Sequence, residues 1–155
     1  KDVDNSVLVI AGPDEVGLQE KLEEIAQDLG IKERVVFTGL LKGDKKWGAF
    51  AAADCFVLPS HQENFGIAVA EALSASLPVL ITDKVNIYRE ISEDNAGLYS
   101  SDTLEGFSEI LNQWMMMNEN KKIIMRENAR QCFLSRFEIK QAAESLERVL
   151  KSATS

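Results

Sequence analysis

A doubly wound, parallel α/β sheet with a helical C-terminal cover is the fold that this 155-residue sequence predicts. Two observations lead to it. Short apolar runs alternate four times with segments of helical periodicity, and the connections are short, the pattern of parallel strands joined by right-handed crossovers. After Thr103 the strand-like runs stop and three helical stretches follow one another. The length suits one domain with a real hydrophobic core, and no repeat, low-complexity segment or long linker divides it. Residues 1–155 are therefore expected to form a single domain.

The elements follow in order. "VLVIAG" (Val7–Gly12) is continuous, rich in β-branched residues and closed by Gly-Pro, as a strand buried on both faces would be. "GLQEKLEEIAQDLG" places Leu18, Leu22, Ile25, Ala26 and Leu29 at helical spacing, with Gly30 as its stop. "RVVFTG" reads as a second strand, "DKKWGAFAAAD" as a helix and "CFVLPS" as a third buried strand halted by Pro59. A helix over Phe65–Ala75 comes next, then a strand "PVLITD", a short helix "VNIYREIS" and a brief strand "AGLYS". "LEGFSEILNQWMMMN", "ENKKIIMRENARQCFLSRF" and "IKQAAESLERVLKS" supply the closing helices, and the Trp114–Met117 run at helical spacing is expected in the core. Ligands of such sheets sit beyond the carboxyl ends of the strands. That directs attention to the loops at Gly12–Pro13, Thr38–Leu41, Pro59–Asn64 and Thr82–Asn86.

Composition narrows the function. A formal net charge of −8 opposes a broad nucleic-acid or anionic-lipid surface. A small anion remains compatible, because one helix N-terminus suffices to hold it. Cys55 and Cys132 lie far apart in apolar surroundings and are expected to be reduced thiols, which favours a cytoplasmic setting. With one histidine, His61, and no Cys/His cluster, no metal site is expected. No apolar run is long enough to span a bilayer, so no membrane contact is expected from this domain. The sequence opens on Lys1 and leads straight into a strand, the expected look of a piece of a longer chain.

Between Phe65 and Ala75 the only charged residue is Glu71. It stands six residues into the expected helix, about 9 Å along its axis. Its helical neighbours offer no charged partner, and a buried carboxylate requires hydrogen-bond donors. A vicinal diol supplies two, as a ribose does to the acidic residue of dinucleotide folds. Glu71 on the helix's one wet edge, without a role, is the plain alternative. Glu63 precedes the helix in the strand-to-helix loop, Asn64 is placed to act as N-cap, and Gly66 permits close backbone approach. The N–H groups of Phe65, Gly66 and Ile67 then face whatever lies above the sheet, an arrangement that attracts phosphate.

"ENFGIAVAE" carries Glu63 and Glu71 in an E-x7-E arrangement around an aromatic-Gly pair. With "LVIAGP", "RVVFTGLL", "AADCFVLPSHQENFGIAVAEALSASLPVLITD" and "NAGLYSSD" in order, it resembles the nucleotide-sugar-binding half of retaining group 1 glycosyltransferases of GT-B architecture, which has two Rossmann-like domains. The resemblance covers Val7–Ser101 well and the helical tail loosely. It implies the C-terminal, donor-binding domain of an enzyme that moves a sugar from a nucleotide diphosphate sugar, of UDP, GDP or ADP type, to an acceptor, without a further cofactor. It implies that Glu71 binds the nucleotide ribose and that Glu63, the residue nearest the chemistry, lies beside the donor sugar and diphosphate. It also implies that the amides of Asn64, Phe65, Gly66 and Ile67 hold the sugar hydroxyls and distal phosphate. Gly39 and Leu40 would lie against the base, and Gly12 at the floor of the same cleft.

The sequence departs from that pattern in places. The resemblance implies that the strand–helix unit carrying an Arg and a Lys for the diphosphate, and the acceptor-holding N-terminal domain, are expected to lie outside this piece, which is therefore expected to bind nucleotide weakly and to transfer nothing. Lys42, Lys45 and Lys46 near the "FTGLL" loop are either substitute cations or, the favoured reading, solvated surface lysines. Ser76 stands where the family commonly has Gly, and "VNIYREI" replaces a Gly-Gly loop, so that Asn86 and Arg89 either read the sugar or stabilise a short helix. His61 is a phosphate contact, a general acid or an ordinary loop residue. The rival function is a non-catalytic nucleotide-binding or docking module. A phosphoryl-receiver or flavin domain would want more at the end of the first strand than Asp14 and Glu15, and the E-x7-E arrangement disfavours an epimerase.

Overall fold

A computed structural model describes residues 6–14 and 16–138. The chain divides into two compact units, Lys1–Gly48 and Ala49–Ser155. The helix expected over "IKQAAESLERVLKS" lies outside the described residues.

In the first unit β1 (Leu8–Ala11) pairs in parallel with β2 (Val35–Gly39), Leu8 opposite Val35 and Ile10 opposite Phe37. The register shifts after Ile10, so that Ala11 faces Gly39. Between the strands runs α1 (Leu18–Asp28), whose first turn is capped by Asp14: Oδ1 accepts from the Leu18 N–H at 2.7 Å. The carboxylate that a receiver site would require is thus spent on a helix end. α1 stops at Gly30, where the Ile31 N–H donates to the Ala26 carbonyl at 2.8 Å across a left-handed residue. The stop read from the sequence is the stop found. The burial expected of the first strand is not: Leu8 and Val9 are 45% and 51% exposed. Two strands and one long helix provide too little apolar surface to cover both faces of a sheet.

Helix α2 (Asp44–Ala52) carries the chain into the second unit. There β3 (Phe56–Leu58), β4 (Val79–Thr82) and β5 (Gly97–Ser100) form a parallel sheet with β4 in the centre. The crossovers are α3 (Ile67–Ser74) and α4 (Tyr88–Glu93). The closing helices are α5 (Leu104–Met116) and α6 (Glu119–Cys132), the latter running into a π-helical turn at Phe133–Phe137. Alternation along β4 explains the layering. Val79 and Ile81 pack with Val69 and Leu73 of α3, Ile91 of α4, and Ala129 and Cys132 of α6. Leu80 points the other way, against Ile110 and Trp114 of α5. Helices therefore cover both faces of this sheet, as the strand pattern predicts. Trp114 is core, with Met115 and Met117 packed against it, while Met116 is exposed. The third strand is shorter than expected and only half-buried.

Eight residues are too few for a helix to persist alone in water. α3 is held by its fully buried Val69, Ala72 and Leu73, with the two larger side chains each contributing about 1.5–3 kcal/mol by leaving water. At its end the Leu77 N–H donates to the Ala72 carbonyl at 3.0 Å around Ser76, which adopts φ +60. That conformation suits glycine and strains serine. Ser76→Gly is therefore expected to stabilise the chain by about 1 kcal/mol, read as a raised midpoint in urea unfolding.

Both thiols are free. Burial, with Asp54 next, pushes the Cys55 thiol up to about 11. Burial first, then a hydrogen bond to Asp94, takes Cys132 to about 12. Thiolate is the reactive form. The folded chain is expected to leave both thiols unmodified by a thiol-titrating disulfide reagent at pH 8, and the denatured chain to release two equivalents.

Candidate functional site

The loop from Pro59 to Gly66, between β3 and α3, is fastened to the loops after β4 and β5. The Thr82 hydroxyl donates to the Ser60 carbonyl. The Glu63 N–H donates to the Lys84 carbonyl at 3.0 Å, and the Asn86 N–H donates to the Glu63 carbonyl at 3.0 Å. Glu63 is thereby paired with Val85 as a one-residue extension of the parallel ladder. Its backbone is fixed by sheet geometry although it lies beyond the strands.

The Glu63 side chain turns to the helix. Its Oε1 accepts from the Gly66 N–H at 3.1 Å. Gly66 is the residue before α3 and holds φ +70, with a nearly closed space around its Cα: an added Cβ would meet Val69 Cγ2 at 3.1 Å and Glu63 Cγ at 3.4 Å. This corrects three expectations. The helix begins at Ile67, not Phe65; Asn64 does not cap it; and the Gly66 N–H is already engaged. The left-handed turn at Gly66 moves the helix start two residues onward and brings Glu63, not Asn64, within reach of the first amide. Gly66 is buried, whereas Asn64, Phe65 and Ile67 are exposed, Phe65 with its ring edge-on to Phe137 at 5.8 Å. In the first turn the Val69 N–H donates to the Gly66 carbonyl at 2.8 Å, while the amides of Ile67 and Ala68 precede the first bond of the helix ladder.

Glu71 lies four residues into α3, about 6 Å from Ile67 along the axis. Val69, Ala70, Ala72 and Leu73 are buried; Ile67 is exposed, and Ala68, Glu71, Ser74 and Ala75 are half-buried. Residues four apart share a helix face, so Glu71 stands on the same uncovered stripe as Ile67. That stripe leads to the helix N-terminus and the Glu63–Gly66 contact. Glu71 is neither sealed in the core nor out in open solvent.

Three predicted site residues belong to the first unit. Gly12 and Gly39 meet there, the Gly12 N–H donating to the Gly39 carbonyl at 3.0 Å. Leu40 follows and is exposed. The Thr38 hydroxyl steadies this strand end by donating to the Gly39 carbonyl at 3.0 Å. Of the two uncertain positions after β4, Asn86 is fixed through its backbone, and Arg89 lies with its guanidinium carbon 5.1 Å from the centre of the Tyr88 ring.

One group escapes a linear reading. His61 Nδ1 lies 3.3 Å from Asp102 Oδ2, and Lys84 Nζ lies 3.9 Å from Asp102 Oδ1. Lys84 also pairs with Asp83 at 3.1 Å, which raises its pKa. The available signal was positional: all four residues lie just past the C-terminal ends of parallel strands.

A parallel α/β unit thus carries one carboxylate fastened at a helix start and a second one turn along the half-buried face of that helix. The chain belongs to the family of group 1 glycosyl transferases, which residues 1–132 match. It is 31% identical over 115 residues to an uncharacterized glycosyltransferase of Methanocaldococcus jannaschii, covering 71% of this chain and 29% of that protein. The chain therefore spans under a third of that relative's length. WaaG, a glycosyltransferase involved in lipopolysaccharide biosynthesis, superimposes with a TM-score of 0.77 at 26% identity, over 92% of this chain and 37% of its own. Anabaena HepE, solved with UDP, has a TM-score of 0.78 at 20% identity, over 95% and 41% of the two chains, a likeness of fold. It has also been solved with UDP-glucose. The fold matches domains of GT-B glycosyltransferases, and this chain resembles one half of that architecture. Among the described residues no helix is long and apolar enough to cross a membrane.

Proposed function

We propose that this chain is the C-terminal, donor-binding half of a retaining glycosyltransferase, whose whole protein moves a sugar from a nucleotide diphosphate sugar to an acceptor. The observation that carries the reading is the placement of two carboxylates along α3, Glu63 bound to the Gly66 amide at its start and Glu71 one turn along on the half-buried face. Family membership supports the reaction class.

In this proposal the Glu71 carboxylate accepts from the two ribose hydroxyls. The amides at Phe65 and Ile67, with the positive end of the α3 dipole, face the distal phosphate, and Asn64 contacts the sugar. Departure of the diphosphate leaves an oxocarbenium-like sugar, and stabilisation of the two charges lowers the barrier. Glu63 faces the developing positive charge. Its engagement with Gly66 suits a fixed electrostatic brace. Gly12, Gly39 and Leu40 are assigned to nucleotide contacts on the resemblance alone. A helix end carries roughly half an elementary charge, so the 155-residue chain by itself is expected to bind weakly and to transfer no sugar. The acceptor falls to the remainder of the whole protein.

Amide chemical shifts during titration with UDP, GDP and ADP test the reading. Perturbations are expected at residues 63–71 and at 39–40, saturating in the millimolar range. Perturbations confined to α5 and α6 would overturn it. Release of free nucleotide from nucleotide sugar by the intact protein separates an enzyme from a docking module, which releases none.

A further inference from the structure

The loops after β3, β4 and β5 run side by side and each contributes one member of the His61, Lys84 and Asp102 group. They are bound to one another by backbone hydrogen bonds: Glu63 N–H to the Lys84 carbonyl at 3.0 Å, and Asp83 N–H to the Ser100 carbonyl at 2.7 Å. Asp102 divides its oxygens, Oδ2 3.3 Å from His61 Nδ1 and Oδ1 3.9 Å from Lys84 Nζ. A carboxylate only accepts hydrogen bonds, so Nδ1 carries the hydrogen in this contact. In the neutral ring Nε2 is then left as an acceptor. The His61 side chain is 85% exposed, and exposed ion pairs add little stability. What the Asp102 contact changes is the identity of the open nitrogen.

We infer that His61 Nε2 accepts a hydroxyl of the donor sugar and that Asp102 is its positioning residue. The inference rests on the nucleotide-sugar reading above. His61 lies two residues before Glu63 on the loop that ends in the Glu63–Gly66 contact, which closes at the helix start assigned to the diphosphate-linked sugar. The chemistry selects the ligand. Diphosphate oxygens at neutral pH accept and do not donate, so they have nothing to offer a bare Nε2, whereas a sugar hydroxyl donates. Of the further charged groups on these loops, Asp83 and Lys84 pair with each other at 3.1 Å and the Glu63 carboxylate is engaged with the Gly66 amide.

His61 is the chain's only histidine, so every imidazole signal in a ¹⁵N spectrum belongs to it. In the neutral ring Nδ1 is expected to carry the hydrogen and Nε2 to be bare, the reverse of the tautomer that free histidine favours. Asp102→Ala is expected to restore the ordinary tautomer. UDP-glucose, GDP-mannose and ADP-glucose are then each compared with the plain diphosphate. A sugar nucleotide that binds is expected to shift Nε2 while its diphosphate does not. His61→Ala, on an exposed loop that tolerates truncation, is expected to weaken the sugar nucleotide about 5-fold, the value of one hydrogen bond, and to leave the diphosphate unchanged. An Nε2 that carries the hydrogen, or that responds equally to both ligands, overturns the inference. If the Gly66 and Ile67 amides respond and Nε2 does not, the role of His61 falls and the nucleotide-sugar reading stands. If neither responds to any nucleotide, both fall.

Discussion

Gly97→Ala is expected to destabilise the chain by about 3 kcal/mol or more, the upper range for overpacking. Gly97 opens β5 and lies directly opposite Val79 in the parallel register. A Cβ built on it would run into the Val79 carbonyl oxygen and approach Val79 Cγ2 to 2.8 Å. Neither neighbour can yield. The carbonyl belongs to the backbone of the central strand, and the Val79 side chain is wholly buried in the core that α3, α4 and α6 share. Relief requires moving β5 away from β4, which breaks the ladder carrying the edge of the sheet. Gly48, inside α2 with nothing within 4 Å of its notional Cβ, is the control. Alanine there is expected to stabilise by about 0.5–1 kcal/mol through its better helix propensity. Urea unfolding of the two variants beside the parent reads both changes, and a Gly97→Ala midpoint equal to the parent's would refute the steric account.

Glu71→Gln is expected to weaken nucleotide binding at least about 10-fold while the chain stays folded. Hydrogen bonds to a charged acceptor are worth about 1.5–3 kcal/mol, and 1.4 kcal/mol is one factor of ten in affinity. Glutamine keeps the size of the side chain but replaces one acceptor oxygen with a donor, which meets a ribose hydroxyl wrongly. The stability cost is expected to be small, because Glu71 stands on the half-covered stripe of α3 and the side chains that hold the helix, Val69, Ala72 and Leu73, face the other way. Titration followed at the Gly66 and Ile67 amides measures the affinity without relying on the altered residue. Equal dissociation constants for parent and variant would remove Glu71 from the nucleotide contacts.

The acid-rimmed helix places its two carboxylates in different states. Glu63 is tied to the sheet by its backbone and to the helix by its side chain, so its position is set before any ligand arrives. In the proposed reaction, a group fixed in this way would lose no energy to rearrangement as charge develops. Glu71 stands one turn along the same helix, half-buried.

Much of this was legible in the sequence because its causes are local. The stop at Gly30, the β-branched run of β4 and the continuous apolar face of α3 each follow from the residues in that segment. The order of strands and helices followed in turn, since short connections in an alternating chain leave few other arrangements. Tertiary structure decided the rest. The start of α3 depends on the left-handed turn at Gly66 and on Glu63, whose backbone is held by β4's loop. The exposure of β1 depends on how much apolar surface its unit supplies, which its own apolar residues do not reveal. His61 and Asp102 are 41 residues apart and meet because parallel strands deliver their C-terminal loops to one rim. Periodicity reports which face a residue takes within its own element; contacts between distant loops come from the sheet, and no local pattern encodes them.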